Sequence, residues 1–186
     1  MACIFFHKWV GCKCEKCGEV RDTGHEWEGC KCKVCGTVRN TGHDWVMGIY
    51  CDRCYTIETD KEPDRKAIES LSLPDLERLV HDLRSVSWKR KDHGRGLMMF
   101  IAPNDPDSKR FAAEQARLFE IYYYVSDRYI VRSLAETNNP SETFDRLAGM
   151  FSAEPKNLIG KYNPENPDNA VFVLKAECRK HAGIIL

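Results

Sequence analysis

From Asp64 onward the apolar residues of this 186-residue chain return every three or four positions, the spacing that lines one face of a helix. Leu76, Leu79, Val80, Leu83 and Val86 form one such stripe, with Ser72 placed to cap its start and Pro74 in its first turn. A shorter helical segment over 64–71 precedes it. Asp107 or Ser108 opens a long run to Ala135, on which Phe111, Gln115, Leu118, Phe119, Tyr122, Val125 and Tyr129 recur at helical intervals. Ala112, Ala116 and Ile121 broaden that stripe, and a helix so apolar belongs inside a bundle. Ser141 can cap a helix through Phe151, and Pro155 can start a short one through Tyr162. NPENPDN at 163–169 reads as a turn-rich loop. The last helix is expected from Ala170 to Ala182, opened by Asp168 or Asn169 and stopped by Gly183, with Arg179, Lys180 and His181 in its final turn. LMMFIA at 97–102 is the one candidate strand. Five or six helices on short connections predict an all-α bundle or a short stack of helical hairpins.

The first third follows a different rule. HKWVGCKCEKCGEVRDTG at 7–24 recurs as HEWEGCKCKVCGTVRNTG at 25–42 and begins again as HDWVMGIYCDRC at 43–54, so the period is 18 residues. Nine of ten cysteines lie in the first 54 residues and all eight prolines from Pro63 onward, which places a boundary near 58–64. The expected organisation is a small metal-dominated domain over 1–58 and an α-helical domain over 64–186.

Each full repeat carries one His and three Cys, the ligand set of one tetrahedral zinc. Cys14 with Cys17, Cys32 with Cys35 and Cys51 with Cys54 are CxxC pairs, whose tight turn lets both sulfurs reach one ion. Gly18 and Gly36 follow directly and permit a left-handed backbone. The third copy has Tyr55 there, so its turn is expected to be distorted. Disulfides would leave one of nine thiols unpaired, and no secretion signal is evident, so metal is the better reading. Adding Cys3, Cys12, Cys30, His7, His25 and His43 gives twelve ligands for three structural Zn²⁺ ions. Two wirings are open. In one, each site borrows a cysteine from the repeat before it: Cys12, His25, Cys32, Cys35, then Cys30, His43, Cys51, Cys54, with Cys3 completing His7, Cys14 and Cys17. In the other, Cys12, Cys14, Cys17 join His25 and Cys30, Cys32, Cys35 join His43, which leaves Cys3, His7, Cys51 and Cys54 to close a much longer loop. Loop-closure entropy favours the first.

Trp9, Trp27 and Trp45 each stand two residues after a ligand histidine. They can shield the metals and pack one repeat on the next, or form a row on which single-stranded bases stack; the scarcity of other core residues favours packing. Arg21 and Arg39 read as paired repeat positions rather than phosphate clamps. The phrase resembles tandem zinc-binding repeats of the form HxWxxCxCxxCGxxRxxGHxW, found in varying copy number beside unrelated domains of bacterial proteins. The resemblance covers residues 7–54, implies metal binding, and is nearly silent on activity. The third copy departs from it at Gly48, Ile49 and Tyr55.

Net charge is zero, with eight Lys+Arg against nine Asp+Glu in residues 1–60 and twenty against nineteen beyond, which argues against non-specific nucleic-acid binding. The N-terminus has neither a basic n-region nor a long apolar run, so a cytoplasmic protein that does not engage a membrane is expected. No Walker loop, HExxH, GxSxG or dinucleotide fingerprint is present. The one suggestive stretch is SWKRKDHGRG, where Trp88, Lys89, Arg90, Lys91, His93 and Arg95 crowd a loop able to hold a phosphate, an RNA strand or an acidic surface. A His, Asp and Tyr constellation from His81, Asp82, His181 and Tyr122 or Tyr123 can be imagined, but no spacing requires it. A zinc-binding adaptor with a protein partner in a bacterial or phage cytoplasm is therefore expected first. An RNA- or single-stranded-DNA-binding protein comes second, and an enzyme with its site in the helical domain third.

Overall fold

A computed structural model describes residues 6–92 and 106–185. The chain divides into two compact units, the first formed by residues up to Val46 together with Tyr50–Thr56, the second by Met47–Ile49 and the chain from Ile57 onward.

The first unit is three small antiparallel hairpins in tandem: β1 Trp9–Val10 with β2 Lys13–Cys14, β3 Trp27–Glu28 with β4 Lys31–Cys32, and β5 Trp45–Val46 with β6 Tyr50–Cys51. The register sets a tryptophan opposite the first cysteine of each CxxC pair: Trp9 with Cys14, Trp27 with Cys32, Trp45 with Cys51. Gly11 and Gly29 open the first two turns at φ +58° and +59°, and a Cβ on Gly29 would lie 2.8 Å from the Gly42 carbonyl oxygen. That approach is open only to glycine, because any side chain would meet backbone there. The third turn is one residue longer, Met47-Gly48-Ile49, and Met47 takes the left-handed conformation at φ 50°.

The second unit holds five α-helices: α1 Arg65–Ser70, α2 Leu73–Asp92, α3 Pro106–Ala135, α4 Pro140–Phe151 and α5 Pro167–Ile185. Local chemistry starts them. Asp64 accepts from the Ala67 N–H at 3.0 Å, Ser72 Oγ accepts from Asp75 N at 3.3 Å, and Asn139 accepts from Glu142 N while its amide donates to that carboxylate. The cap of α4 is thus Asn139 with Pro140 in the first turn, two residues before the expected Ser141. Asn166 does the same for α5, so that helix begins at Pro167 rather than Ala170; it also runs through Gly183 to Ile185. One glycine costs only about 1 kcal/mol against alanine, too little to end a helix whose neighbouring Ala182 is fully buried. The segment expected over 155–162 contains only a single 3₁₀ turn, Pro155–Asn157. Residues 87–92, expected in a loop, form the last turns of α2. The candidate strand 97–102 lies outside the described residues.

The core of this unit is the predicted stripe of α2 (Leu76, Leu79, Val80, Leu83, Val86), joined by Leu118, Ile121, Tyr122, Val125, Tyr129 and Ile130 of α3. Phe144, Leu147 and Phe151 of α4 and Leu174 and Cys178 of α5 complete it. Ala112 and Ala116 are exposed and do not widen the stripe. Small methyl groups near a helix end gain little from burial, and the stripe there is carried by larger side chains. Half-buried Arg84 donates to the Tyr122 hydroxyl at 2.9 Å and to the Met150 carbonyl at 2.6 Å, so a cation satisfies an end carbonyl of α4. Because Leu147 is fully buried, Leu147→Ala is expected to cost this unit about 2 to 5 kcal/mol. A lower urea midpoint at 222 nm with an unchanged metal count is the checking result.

Candidate metal centre

The CxxC turns are built by backbone hydrogen bonds. The N–H of Gly18, Gly36 and Tyr55 returns to the carbonyl of Cys14, Cys32 and Cys51 at 2.9, 3.0 and 2.8 Å. Each of those cysteines in turn donates its own N–H to the carbonyl five residues on, of Glu19, Thr37 and Thr56. Gly18 and Gly36 sit at φ +79° and +78°, and Tyr55 adopts the same left-handed region at φ 59°. The third turn is therefore kept, not distorted, and Tyr55 carries a backbone strain of about 1 to 2 kcal/mol that its glycine counterparts avoid.

These turns converge with the histidines into three clusters, each with donor atoms within 4.8 Å of one another. Cys12, His25, Cys32 and Cys35 form one, Cys30, His43, Cys51 and Cys54 the next, and His7, Cys14 and Cys17 the first in sequence. The geometry groups each turn cysteine with the following repeat, as the borrowed-cysteine wiring has it. Cys3 lies outside the described residues.

Donor spacing tests whether a metal fits. Cys12 and Cys32 sulfurs stand 3.6 Å apart and those of Cys30 and Cys51 3.5 Å, while Cys17, Cys35 and Cys54 approach Nδ1 of His7, His25 and His43 at 3.4, 3.4 and 3.5 Å. Tetrahedral zinc with sulfur at about 2.3 Å and nitrogen at about 2.0 Å requires edges of about 3.8 and 3.5 Å, so the donors already stand near the corners of such a tetrahedron. All nine described cysteines are free thiols. Three Cys/His clusters can thus each hold a metal ion, with Nδ1 as the histidine donor. Where four protein ligands meet, no corner is left for substrate.

Thiol acidity is set by the same turns. Burial pushes the Cys32 thiol up, but the N–H of Cys35 and the His25 imidazole outweigh it and hold it down at about 5. Cys14 and Cys51 are likewise held at about 6 against burial, by the backbone N–H groups of Cys17 and Lys16 and by His43 with the N–H of Cys54. Cys12 and Cys30 go the other way, to about 12, because burial and neighbouring thiolates oppose a further charge. Loading metal must expel those two protons. For the depressed thiols, the thiolate form contributes fully above the ordinary value of 9 and is lost as pH falls through about 6 to 5. Titrating the loaded protein toward acid is therefore expected to release metal cooperatively once pH drops below that window, measurable with a colorimetric zinc indicator.

Beside each cluster stands a layered stack. His7, His25 and His43 rings lie 5.1, 4.9 and 4.7 Å from those of Trp9, Trp27 and Trp45. Arg21 and Arg39 lie over Trp9 and Trp27 at 4.8 Å, and both guanidinium groups also donate to turn carbonyls, of Gly11 and Gly29. Period-18 alignment marked these arginines as repeat positions but carried no sign of the stack. The third repeat has no such arginine: Glu58 N bonds the Ile49 carbonyl as Arg21 N bonds that of Cys12 and Arg39 N that of Cys30. By that correspondence Ile49, fully buried, occupies the place of the two borrowed cysteines.

Among the described residues, the candidate constellation of His81, Asp82, His181 and the tyrosines is not drawn into a site. His81 is exposed, and among the described residues no hydrogen bond or ion pair joins His81 or Asp82 to His181 or the tyrosines. His93 and Arg95 lie outside the described residues; Trp88, Lys89, Arg90 and Lys91 fall on α2. Among the described residues no helix is long and apolar enough to cross a membrane. No family model, curated protein or solved structure matches the chain.

Proposed function

We propose that this chain is a zinc-binding interaction protein, in which three structural Zn²⁺ ions rigidify the repeat unit so that it can present a fixed surface to a partner protein. One observation carries the reading: the donors of three clusters stand at tetrahedral spacing, and two clusters are closed by four protein ligands. Three thiolates, one imidazole and zinc leave a net charge of −1, suited to a buried scaffold and unable to bind substrate. Zinc is favoured over other ions because thiolate with imidazole in tetrahedral array is its preferred donor set. The repeat resemblance and the balanced charge point the same way.

Protein is preferred to nucleic acid as partner because the indoles of Trp9 and Trp27 are each covered by an imidazole and a guanidinium, which occupies the faces that bases would need. Elemental analysis of the native protein is expected to give three zincs per chain. Nuclease-treated affinity capture is expected to retain a protein partner only while metal is present. Salt-dependent oligonucleotide binding that disappears when Lys89, Arg90 and Lys91 become alanine would overturn the choice of partner.

A further inference from the structure

Between α4 and α5 the chain makes two turns that close on themselves. In the first, Gly160 takes the left-handed conformation at φ +76°, its N–H is held by Asp145 of α4 at 2.8 Å, and the Lys161 N–H returns to the Leu158 carbonyl at 3.0 Å. In the second, Asn163 Oδ1 accepts from Glu165 N at 2.9 Å and Asn166 Oδ1 from Asn169 N at 3.1 Å. Tyr162 between them rests on Phe144, with ring centroids 5.9 Å apart. Pro164 and Pro167 restrict the backbone further, so the wall these turns build is set before any ligand arrives.

That wall borders a cavity of about 190 Å³. Its floor is apolar: buried Phe144 and Ala170, with half-buried Leu158 and Val173. Its rim is exposed and polar, made by Lys161, Asn163, Asn166 and Asn169. Because the amide oxygens of Asn163 and Asn166 are engaged by backbone N–H groups, the Nδ2 donors are what those two side chains have left for a ligand. Among the described residues no carboxylate pairs with Lys161, and Glu165 and Asp168 do not line the cavity. A rim with an ammonium, amide donors and no acid selects an anion.

We infer that this cavity binds the C-terminus of a partner polypeptide whose last residue is apolar. The carboxylate takes the Lys161 ammonium and the asparagine Nδ2 donors, and the last side chain lies on Phe144, Leu158 and Val173. An aspartate or glutamate side chain carries its charge at the tip and brings no apolar group beside it. At a chain end the carboxylate and an apolar side chain hang from the same carbon, as a cavity this small demands. Drug-sized ligands fill about 300 to 1,000 Å³, well above the volume here, whereas a single terminal residue needs less and the chain before it leaves over the exposed rim. The site belongs to the helical unit and needs no metal, so it is independent of the metal-held surface of the repeats.

The test uses the full zinc-loaded chain labelled with ¹⁵N, and acetyl-Gly-Ser-Gly-Ser-Leu with a free carboxylate as the probe, titrated to millimolar concentration. The side-chain amide resonances of Asn163, Asn166 and Asn169 are expected to shift. Amidation of the peptide's C-terminus, or Lys161→Met, is expected to weaken binding by about 10- to 100-fold, the loss of one charge-assisted contact. Lys161 is exposed, and a helical signal at 222 nm equal to that of the unaltered chain shows that the variant is folded. Amide resonances that do not move, or an affinity indifferent to both amidation and Lys161→Met, overturn the inference. Tighter binding of isocaproate, which has the same carboxylate and branched tail without a preceding chain, overturns it as well, because the ligand would then be a free acid.

Discussion

A strong chelator is expected to abolish the fixed environment of Trp9, Trp27 and Trp45 while leaving the helical signal at 222 nm in place. The reason lies in what fills the first unit. Its buried side chains are Cys12, Cys14, Cys30, Cys32, Cys51 and Cys54 with Tyr50, whereas Val10 and Val20 are about half exposed. Among the described residues, the cluster of Cys30, Cys51 and Cys54 is packed by Val38 and Trp45, and both are partly buried. Hairpins of two-residue strands cannot stand alone in water. A structural zinc contributes about 10 to 16 kcal/mol, far above what that apolar area can return. The second unit has its own apolar core and needs no ion to keep it. Near-ultraviolet circular dichroism and limited proteolysis decide the matter: tryptophan signals and protease resistance that survive complete metal removal would refute the scaffold reading.

Cys12→Ser should cost the metal of the second repeat and spare that of its own. Cys12 stands with His25, Cys32 and Cys35, its sulfur 3.6 Å from that of Cys32, and is not part of the cluster of His7, Cys14 and Cys17. Losing one of three thiolates from a closed site leaves a hydroxyl that binds zinc poorly, so one ion of three is expected to dissociate at low chelator concentration. Cys30→Ser should empty the third site in the same way. Native mass spectrometry gives the count. Attachment of a cobalt probe with histidine resonances followed by NMR shows which imidazole is released: His25 for the first variant, His43 for the second. Release of His7 on changing Cys12 would mean that each repeat closes on itself.

The helical stripes were legible because burial follows the 3.6-residue period: each of the five residues predicted to face inward on α2 is buried. Helix ends were less so. Asn139 and Asn166 cap just ahead of prolines, and the proline rather than the more familiar serine marks the start. At Gly183 the packing of a neighbour outweighed local propensity. Period-18 repetition and loop-closure entropy pointed to the observed clusters, since a ligand set is a matter of spacing along the chain. The Arg–Trp–His stack depends on which face of a hairpin each side chain takes. A sequence does not display that until the register of Trp9 with Cys14 is known. The third copy was harder still, because its extra turn residue shifts every later position by one and hides the correspondence of Ile49 with Cys12 and Cys30.

That correspondence makes the three copies unequal as building blocks. The opening copy hands a sulfur forward, the closing copy only accepts one, and the copy at 25–42 does both. Splicing a duplicate of 25–42 into the middle should therefore lengthen the array by one hairpin and one ion without disturbing either end, whereas duplicating 43–56 would break the relay at its apolar stop.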